Sequence, residues 1–220
     1  MKVTSASYPG QIRRPTPLVR SEINGELLIC VTHWGQSDAT ERIFQDISQS
    51  ISSSVSDIEV TRAYDQNTSL PAEVNYLRVA TLQCNQSIFR LYNKSEIKVG
   101  FELTLLLHHE NKLSWLSCGQ PQMWLSSRHR PWNLVATDLE LSAELGEATP
   151  LPQRLLGLDP HCHFHCGQIQ FFPGDRMLLV NHPRVPPLQS ASTILTMDEI
   201  KSLLAGDDGQ TSYWVSLVES

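Results

Sequence analysis

The segment from residue 171 to residue 183 restricts the fold of this chain more than any other stretch. Residues 173–175 (Pro-Gly-Asp) are turn formers, and the apolar residues 177–180 (Met-Leu-Leu-Val) follow them closely. A short, continuously apolar run after a turn predicts a fully buried strand. Strands of this kind often place functional side chains at the edge of a core. This one is predicted to end at Asn181, His182 and Pro183.

Composition indicates an ordinary globular protein and excludes several classes of function. Of the 220 residues, 40% are hydrophobic and 18% are charged, which suits a soluble chain that can bury a sizeable core. The net charge of −6 argues against a nucleic-acid partner, because binding to phosphates requires a basic surface. The longest apolar runs, such as residues 103–107, are too short to cross a bilayer, so we expect no membrane partner.

Cysteine usage and the first residues predict a cytoplasmic location. The five cysteines are an odd number and are scattered along the chain, which favours reduced thiols over a disulfide framework. Residues 1–9 lack the apolar stretch of a secretion signal.

Hydrophobic spacing predicts that helices dominate the first half of the chain. Residues 26–31 are predicted to form a strand, and residues 32–37 a loop after it. A helix is expected from residue 38 to about residue 51, followed by a Ser-rich connection from residue 48 to residue 68. A second long helix is expected over residues 71–92, with Pro71 in its first turn.

The second half of the chain is predicted to consist mainly of strands. A capping box at residues 196–199 should begin a short helix that ends near residue 205. Two long helices followed by many antiparallel strands predict an α+β architecture, in which residues 1–25 are an extended lead-in or edge strand and residues 26–220 a single domain. The expected strands are residues 99–108, 113–118, 122–125, 132–134, 161–172, 177–180 and 212–218.

Four segments, in this order, resemble landmarks of the metal-dependent type-2C (PPM-type) protein serine/threonine phosphatases. Residues 26–37 (Glu-Leu-Leu-Ile-Cys-Val-Thr-His-Trp-Gly-Gln-Ser) stand where the family has a strand ending in Asp-Gly-Met-Gly-Gly. Residues 100–107 resemble the family's Gly-Thr-Thr strand, and residues 113–125 resemble the region of its Val-Gly-Asp-Ser-Arg. Residues 173–183 resemble its Gly-Asp, strand, Ser-Asp-Gly segment.

The resemblance spans roughly residues 20–219. It implies a four-layer α-β-β-α sandwich with two central antiparallel sheets, and a shortened flap region at about residues 138–160.

The aspartates by which the family holds two Mg²⁺ or Mn²⁺ ions are missing here. Those ions activate the water that attacks a phosphoserine or phosphothreonine, and they require carboxylate and carbonyl oxygens. The arginine that follows Gly-Asp-Ser in the family is Gln122. The resemblance therefore implies a pseudophosphatase with no catalytic residue and no metal cofactor. The degenerate positions are Thr32, His33, Trp34, Gln120, Asn181, His182, Pro183, Thr211 and Ser212.

Histidines leave two metal-site alternatives open. The resemblance brings His33, Gln120 and His182 together, and two imidazoles with an amide oxygen suit a single zinc-like ion. Such a site would make the protein a hydrolase or phosphatase with a rebuilt mononuclear centre. The second alternative is a surface metal site, because strand alternation would place His161, His163 and His165 on one face, with two cysteines and a phenylalanine opposite.

Two other residues near the expected cleft receive their own interpretation. Glu102 is a carboxylate that the family pattern lacks, and we expect it at a solvent-facing edge. Trp34 is expected to pack within the fold, with anchoring of a partner as the alternative.

The function expected from these observations is binding rather than catalysis. The domain would act as a regulatory module in phosphorylation signalling by recognising a protein partner, such as a phosphoprotein, a kinase or an active phosphatase. A third possibility is a structural module that dimerises through a sheet edge or through the histidine face.

Overall fold

The computed structural model describes residues 1–8, 15–35, 39–56, 64–119, 121–127, 130–137, 152, 154–182, 185–190, 195–205 and 213–220. Its helices are α1 (Thr40–Ser56), α2 (Ala72–Ile88) and α3 (Met197–Ala205). Its strands are β1 (Lys2–Tyr8), β2 (Leu18–Glu22), β3 (Leu27–Gly35), β4 (Val99–His109), β5 (Lys112–Cys118), β6 (Gln122–Ser127), β7 (Arg130–Ala136), β8 (His165–Gln170), β9 (Arg176–Asn181) and β10 (Tyr213–Glu219).

The strands form two antiparallel five-stranded sheets, and each sheet lies in its own compact unit. The order β2-β3-β4-β5-β8 belongs to a unit made of residues 17–119 and 154–170, which we call the α1–α2 unit. The order β1-β10-β9-β6-β7 belongs to a unit made of residues 1–16, 120–153 and 171–220, which we call the α3 unit. Each sheet is therefore assembled from separate stretches of the chain.

The core of the α1–α2 unit is built by apolar stripes on its two helices. Ile47 and Ile51 of α1 and Leu77 of α2 are fully buried against the sheet residues Ile29 and Leu105. Their spacing of three or four residues keeps them on one helix face, as the sequence pattern predicts. Truncating any one of them to alanine would leave a cavity that costs about 2–5 kcal/mol.

The prediction of a Ser-rich connection beginning at residue 48 is wrong, because α1 continues to Ser56. The buried Ile51 extends the apolar stripe into this region. The serine hydroxyls also find acceptors: Ser54 Oγ donates to the Ser50 carbonyl at 2.9 Å, and Ser50 Oγ donates to Gln83 Oε1 of α2 at 2.9 Å. Serine has only moderate helix propensity, and here packing outweighs it.

Two of the four following predictions differ from the structure at their boundaries. Residues 32–35, expected as a loop, continue β3 and pair with β4. Strand β8 begins at His165 rather than at residue 161. The region of residues 1–25, expected as a lead-in or edge strand, supplies β1 and β2, an edge strand of each sheet. The expected flap region lies largely outside the described residues.

The α3 unit contains the turn at residues 173–175 and the buried strand β9 that follows it. The Asp175 amide donates to the Phe172 carbonyl and the Phe172 amide donates to Asp175 Oδ2, both at 2.9 Å, while Gly174 takes a φ of +93°. Residues 177–181 of β9 are buried, and the predicted turn and strand are confirmed. Ile200 of α3 packs in the same core cluster as Trp124 of β6.

Two buried asparagines fix the segment before β8 to the end of α2. Asn93, in the π-helical turn Phe89–Asn93, donates from Nδ2 to the Gly157 carbonyl at 2.7 Å. Asn85 Oδ1 accepts from the Gly157 amide at 2.7 Å, and Asn85 Nδ2 donates to the Asp159 carbonyl at 2.9 Å. Gly157 has a φ of +89°, and a Cβ there would collide with Ile88. This segment therefore has a defined position.

Within the part of the chain that the structure describes, no helix is both long enough and apolar enough to span a membrane.

Candidate functional site

Alternation along β3 separates its degenerate positions onto two faces of the sheet. The ring of His33 lies 5.4 Å from the ring of Phe101. Phe101 belongs to the core cluster that packs on α1 and α2, so His33 lies on the helix-facing side. Because successive strand residues point to opposite faces, Thr32 and Trp34 lie on the other face.

A hydrogen bond between Trp34 and Glu102 occupies that other face at the end of β3. Trp34 Nε1 donates to Glu102 Oε2 at 3.2 Å, and both side chains are buried. Glu102 is 1% exposed and is the register partner of Thr32, which is buried as well. The expectation that Glu102 lies at a solvent-facing edge is wrong, because Glu102 lies on β4, which is a central strand of its sheet, and its side chain is buried. Packing is the role that the structure gives Trp34.

The turn after β5 lies directly against Glu102. Gly119 has a φ of +78°, and a Cβ at this position would lie 2.9 Å from Glu102 Cγ and 2.9 Å from the Arg154 carbonyl. Ser117 Oγ donates to the Gly119 carbonyl at 3.1 Å and so fixes the turn from within the sheet. Glycine is required here both for the backbone conformation and for the close approach of the glutamate.

Glu102 affects the pKa of a neighbouring thiol, that of Cys30 on β3. Burial, and next the Coulombic effect of Glu102, raise the pKa of Cys30 above its ordinary value. Both effects disfavour a thiolate. Cys30 is therefore a protonated, apolar core residue at neutral pH and not a nucleophile.

The end of β9 is organised by a buried glutamine instead of a carboxylate. Gln122 Nε2 donates to the His182 carbonyl at 3.3 Å, and Gln122 Oε1 accepts from Trp124 Nε1 at 3.3 Å. Asn181 is buried and His182 is half-buried. The amide of Gln122 thus ties the last residues of β9 to β6, and its position is where the resembling family carries an arginine.

The three histidines at and before the start of β8 are all exposed. His161, His163 and His165 are exposed, whereas Cys162 and Cys166 pack partly against the core. Arg154 Nη1 lies 3.0 Å from Nε2 of His165, so a permanent cation is next to one of the proposed ligands. A guanidinium in that position disfavours a metal cation at this nitrogen.

The residues present do not fit the two-metal Mg²⁺ or Mn²⁺ centre that the resemblance implies. His33, or Thr32 in the other alignment of this strand end, and His182 offer an imidazole or a hydroxyl where that centre requires carboxylates, and the carboxyl group of Glu102 accepts from Trp34. Among the described residues, no three His, Cys, Asp or Glu side chains are grouped so that they could hold a metal ion. Four predicted positions lie outside the described residues: Gln120, Pro183, Thr211 and Ser212.

Two features of the site were missed by reasoning from the sequence. The burial of Glu102 could have been inferred from its neighbours on β4. Phe101 and Leu103 are both apolar, which is typical of a strand in the core. Gln122 and Trp124 are two residues apart on one strand, so their side chains share a face. That spacing was the available signal for their hydrogen bond.

Comparison with known proteins identifies the fold. No family model matches this sequence, and no curated protein matches it. Among solved structures, PppA, a key regulatory component of T6SS in Pseudomonas aeruginosa, has a TM-score of 0.65 at 16% identity, over 100% of this chain and 97% of that chain. The S. agalactiae serine/threonine phosphatase has a TM-score of 0.66 at 14% identity, with 98% of each chain covered.

The Mycobacterium tuberculosis serine/threonine phosphatase PstP/Ppp has a TM-score of 0.60 at 16% identity, over 100% of this chain and 98% of that chain. The fold prediction is confirmed: the two antiparallel five-stranded sheets with their helices have the type-2C phosphatase fold. The resemblance inferred from the four landmarks is confirmed at the level of fold.

Proposed function

We propose that this protein is a catalytically inactive type-2C phosphatase-like domain that regulates phosphorylation signalling by binding another protein. The observation that carries the proposal is the Trp34–Glu102 hydrogen bond at the end of β3. A buried indole donates to the carboxyl group of Glu102, on the face of Thr32, which stands for an aspartate in one of the two alignments of this strand end. The phosphatase chemistry requires carboxylates that are available to metal ions.

The proposed loss of phosphatase activity follows from the groups that are available as metal ligands. Attack of water on phosphorus at a two-metal centre depends on metal ions that lower the pKa of the water and neutralise the phosphate charge. Hydroxyl, amide and imidazole groups at the matching positions do not hold Mg²⁺ or Mn²⁺ well. The retained fold then presents a rigid surface without its reaction.

A binding role is supported by the retention of the whole fold. This chain covers 97% of PppA, which is itself described as a regulatory component. A fold kept at full length without its carboxylates fits a role in recognition, and we propose a phosphoprotein, a kinase or an active phosphatase as the partner. The proposed location is the cytoplasm, where such partners occur.

The competing proposal is a hydrolase with one transition metal at His33, Gln120 and His182. Within the α1–α2 unit, His33 lies on the helix-facing side beside Phe101 rather than on the face of Thr32. This placement favours the inactive domain. Metal analysis of the untagged protein separates the two, since a rebuilt site requires stoichiometric zinc that is lost in His182→Ala.

A phosphate-release assay tests the proposal. The purified chain is incubated with phosphoserine and phosphothreonine peptides in the presence of Mn²⁺ or Mg²⁺, beside an active type-2C phosphatase as positive control. We expect no release above the protein-free blank. Metal-dependent release that is abolished by Glu102→Gln would overturn the proposal. Fluorescence anisotropy with phosphorylated and unphosphorylated forms of one labelled peptide then measures whether phosphate is recognised.

A further inference from the structure

Two cysteines that neither the fold nor the proposed function explains lie in direct contact in the α1–α2 unit. The Sγ atoms of Cys118 and Cys162 are 4.0 Å apart, although the residues are 44 positions apart in sequence. Cys118 is the last residue of β5 and is buried. Cys162 is half-buried and lies in the irregular segment before β8.

The other three thiols are poor partners for this pair. Burial, followed by the charge of Asp46, raises the pKa of Cys84, and burial raises the pKa of Cys30, so both stay protonated. Cys166 follows Cys162 by four residues on the same face of an extended segment, which separates the two by about 13 Å. Cys118 is the thiol whose Sγ lies in contact with Cys162, whereas Cys84 interacts with Cys162 only electrostatically.

The location of the pair gives a disulfide a structural consequence. Cys118 directly precedes Gly119, whose turn lies against Glu102. Cys118 Sγ also contacts the Arg154 carbonyl at 3.9 Å, so the segment that carries Cys162 already lies along this strand end. Asn85 and Asn93 hold the middle of the same segment at Gly157.

We propose that Cys118 and Cys162 form a reversible disulfide with a low-molecular-weight disulfide as the oxidant. The sulfur of the half-buried Cys162 attacks one sulfur of the small disulfide, which forms a mixed disulfide and releases one small thiol that carries the Cys162 proton. The Cys118 sulfur then attacks the Cys162 sulfur, and the second small thiol leaves with the Cys118 proton. The protein loses two hydrogen atoms and the small disulfide is reduced to two thiols.

The geometry requires a modest approach of the two sulfurs. A disulfide has an S–S length of about 2.0 Å, so the sulfurs must move about 2 Å closer. Cys162 can supply this movement because its residue lies outside a strand, whereas Cys118 is held in β5. The product would join residues 154–162 covalently to the strand end at Gly119.

Mass spectrometry of the full chain treated with oxidised glutathione tests the proposal. Trypsin leaves Cys118 in residues 113–128 and leaves Cys162 and Cys166 together in residues 155–176, so tandem fragmentation must assign the linkage. We expect one cross-link between Cys118 and Cys162, with loss of two hydrogen atoms, that dithiothreitol reverses. The oxidised protein should melt about 5–10 °C higher, because the link constrains the unfolded chain.

Matched variants make the result decisive. Cys166→Ser, which removes a half-buried thiol of the same segment, should retain the cross-link and the melting shift. Cys162→Ser should lose both, and Cys118→Ser should stop at glutathione bound to Cys162. A cross-link that involves Cys84 or Cys166 would overturn the proposal. So would wild-type protein that stays glutathionylated at Cys162 without a cross-link.

Discussion

The ends of β3 and β9 are two strand ends at which the resembling phosphatases place metal-binding aspartates, and this chain has altered them differently. At the end of β3 a carboxylate is still present, but it is Glu102 from the neighbouring strand, and it accepts from Trp34 at 3.2 Å. At the end of β9 the structure places no carboxylate among the described residues 177–182, and Gln122 holds the His182 carbonyl instead.

If the metal ligands are lost as proposed, the two ends show two ways of keeping such a strand end ordered. A metal site concentrates negative charge, and without its cation that charge would be repulsive and poorly solvated. At β3 the carboxyl group of Glu102 is paired with an indole donor. At β9 neutral amide groups replace charge altogether. The fold is retained in both cases because backbone groups and buried polar side chains still find partners.

Replacing the indole should produce the largest effect. Trp34→Ala removes a large buried side chain and leaves Glu102 without this donor, and we expect a loss of about 3–5 kcal/mol in the free energy of unfolding. Urea denaturation measures the loss. Hydrogen exchange should place the increased opening in the α1–α2 unit, with little change at β9.

A matched variant separates packing from hydrogen bonding at this position. Trp34→Phe keeps most of the ring but removes the N–H, and it should cost about 1–3 kcal/mol. The same change made in a Glu102→Gln background should cost less, because an amide needs a donor less than a carboxylate does. Equal costs in the two backgrounds would show that the carboxylate is not what Trp34 stabilises.

A smaller effect is expected at the other strand end. Gln122→Leu preserves bulk but removes the partner of Trp124 Nε1 and of the His182 carbonyl, each bonded at 3.3 Å, and should cost about 1–2 kcal/mol. Hydrogen exchange should now rise at β6 and β9 and not at β3. If both variants loosened both strand ends equally, the two ends would not be independent.

The smallest effect concerns α3, which lies in the unit of β9 but away from its end. The backbone amide and then the hydroxyl of Thr196 lower the pKa of Glu199, an exposed residue. A carboxyl group whose pKa is lower in the folded state than in the unfolded state stabilises the fold at pH values above its unfolded-state pKa. This stabilisation is lost as the pH falls through its folded-state pKa. Stability should therefore decline below about pH 4.5.

Denaturation across pH measures this contribution. Glu199→Gln should flatten the acid dependence, whereas Asp198→Asn, a neighbour that instead pairs with Lys201, should leave the Thr196 contribution in place. If wild type and Glu199→Gln had identical profiles of stability against pH, the capping box would not be the source of the acid dependence.

The fold could be predicted from the sequence where buried residues recur with the period of a helix or form a short apolar run. The stripe of Ile47 and Ile51, the apolar run of β9 and the Thr196–Glu199 capping box each indicate their element. The extension of α1 through its serines was not predictable from propensity, because packing against α2 decides it. Residues 32–35 look like a loop but are strand, since pairing with β4 is a long-range interaction.

The candidate site was only partly predictable for the same reason. The resemblance in sequence indicates that carboxylates are missing at His33 (or Thr32), Gln120 and His182. The inward position of Glu102 was indicated only by its apolar neighbours Phe101 and Leu103, and a carboxyl side chain is more often exposed. The partnership of Trp34 with Glu102 depends on the register between β3 and β4, which local pattern does not specify.

The central claim is that protein side chains have taken the place of metal ions at the end of β3, and a Mn²⁺ titration by isothermal calorimetry tests it most directly. The wild-type chain should show no saturable Mn²⁺ binding up to millimolar concentration, and Glu102→Gln should give the same flat titration. Stoichiometric Mn²⁺ binding by the wild type that is lost in Glu102→Gln would contradict the account, because the carboxylate would then be a metal ligand.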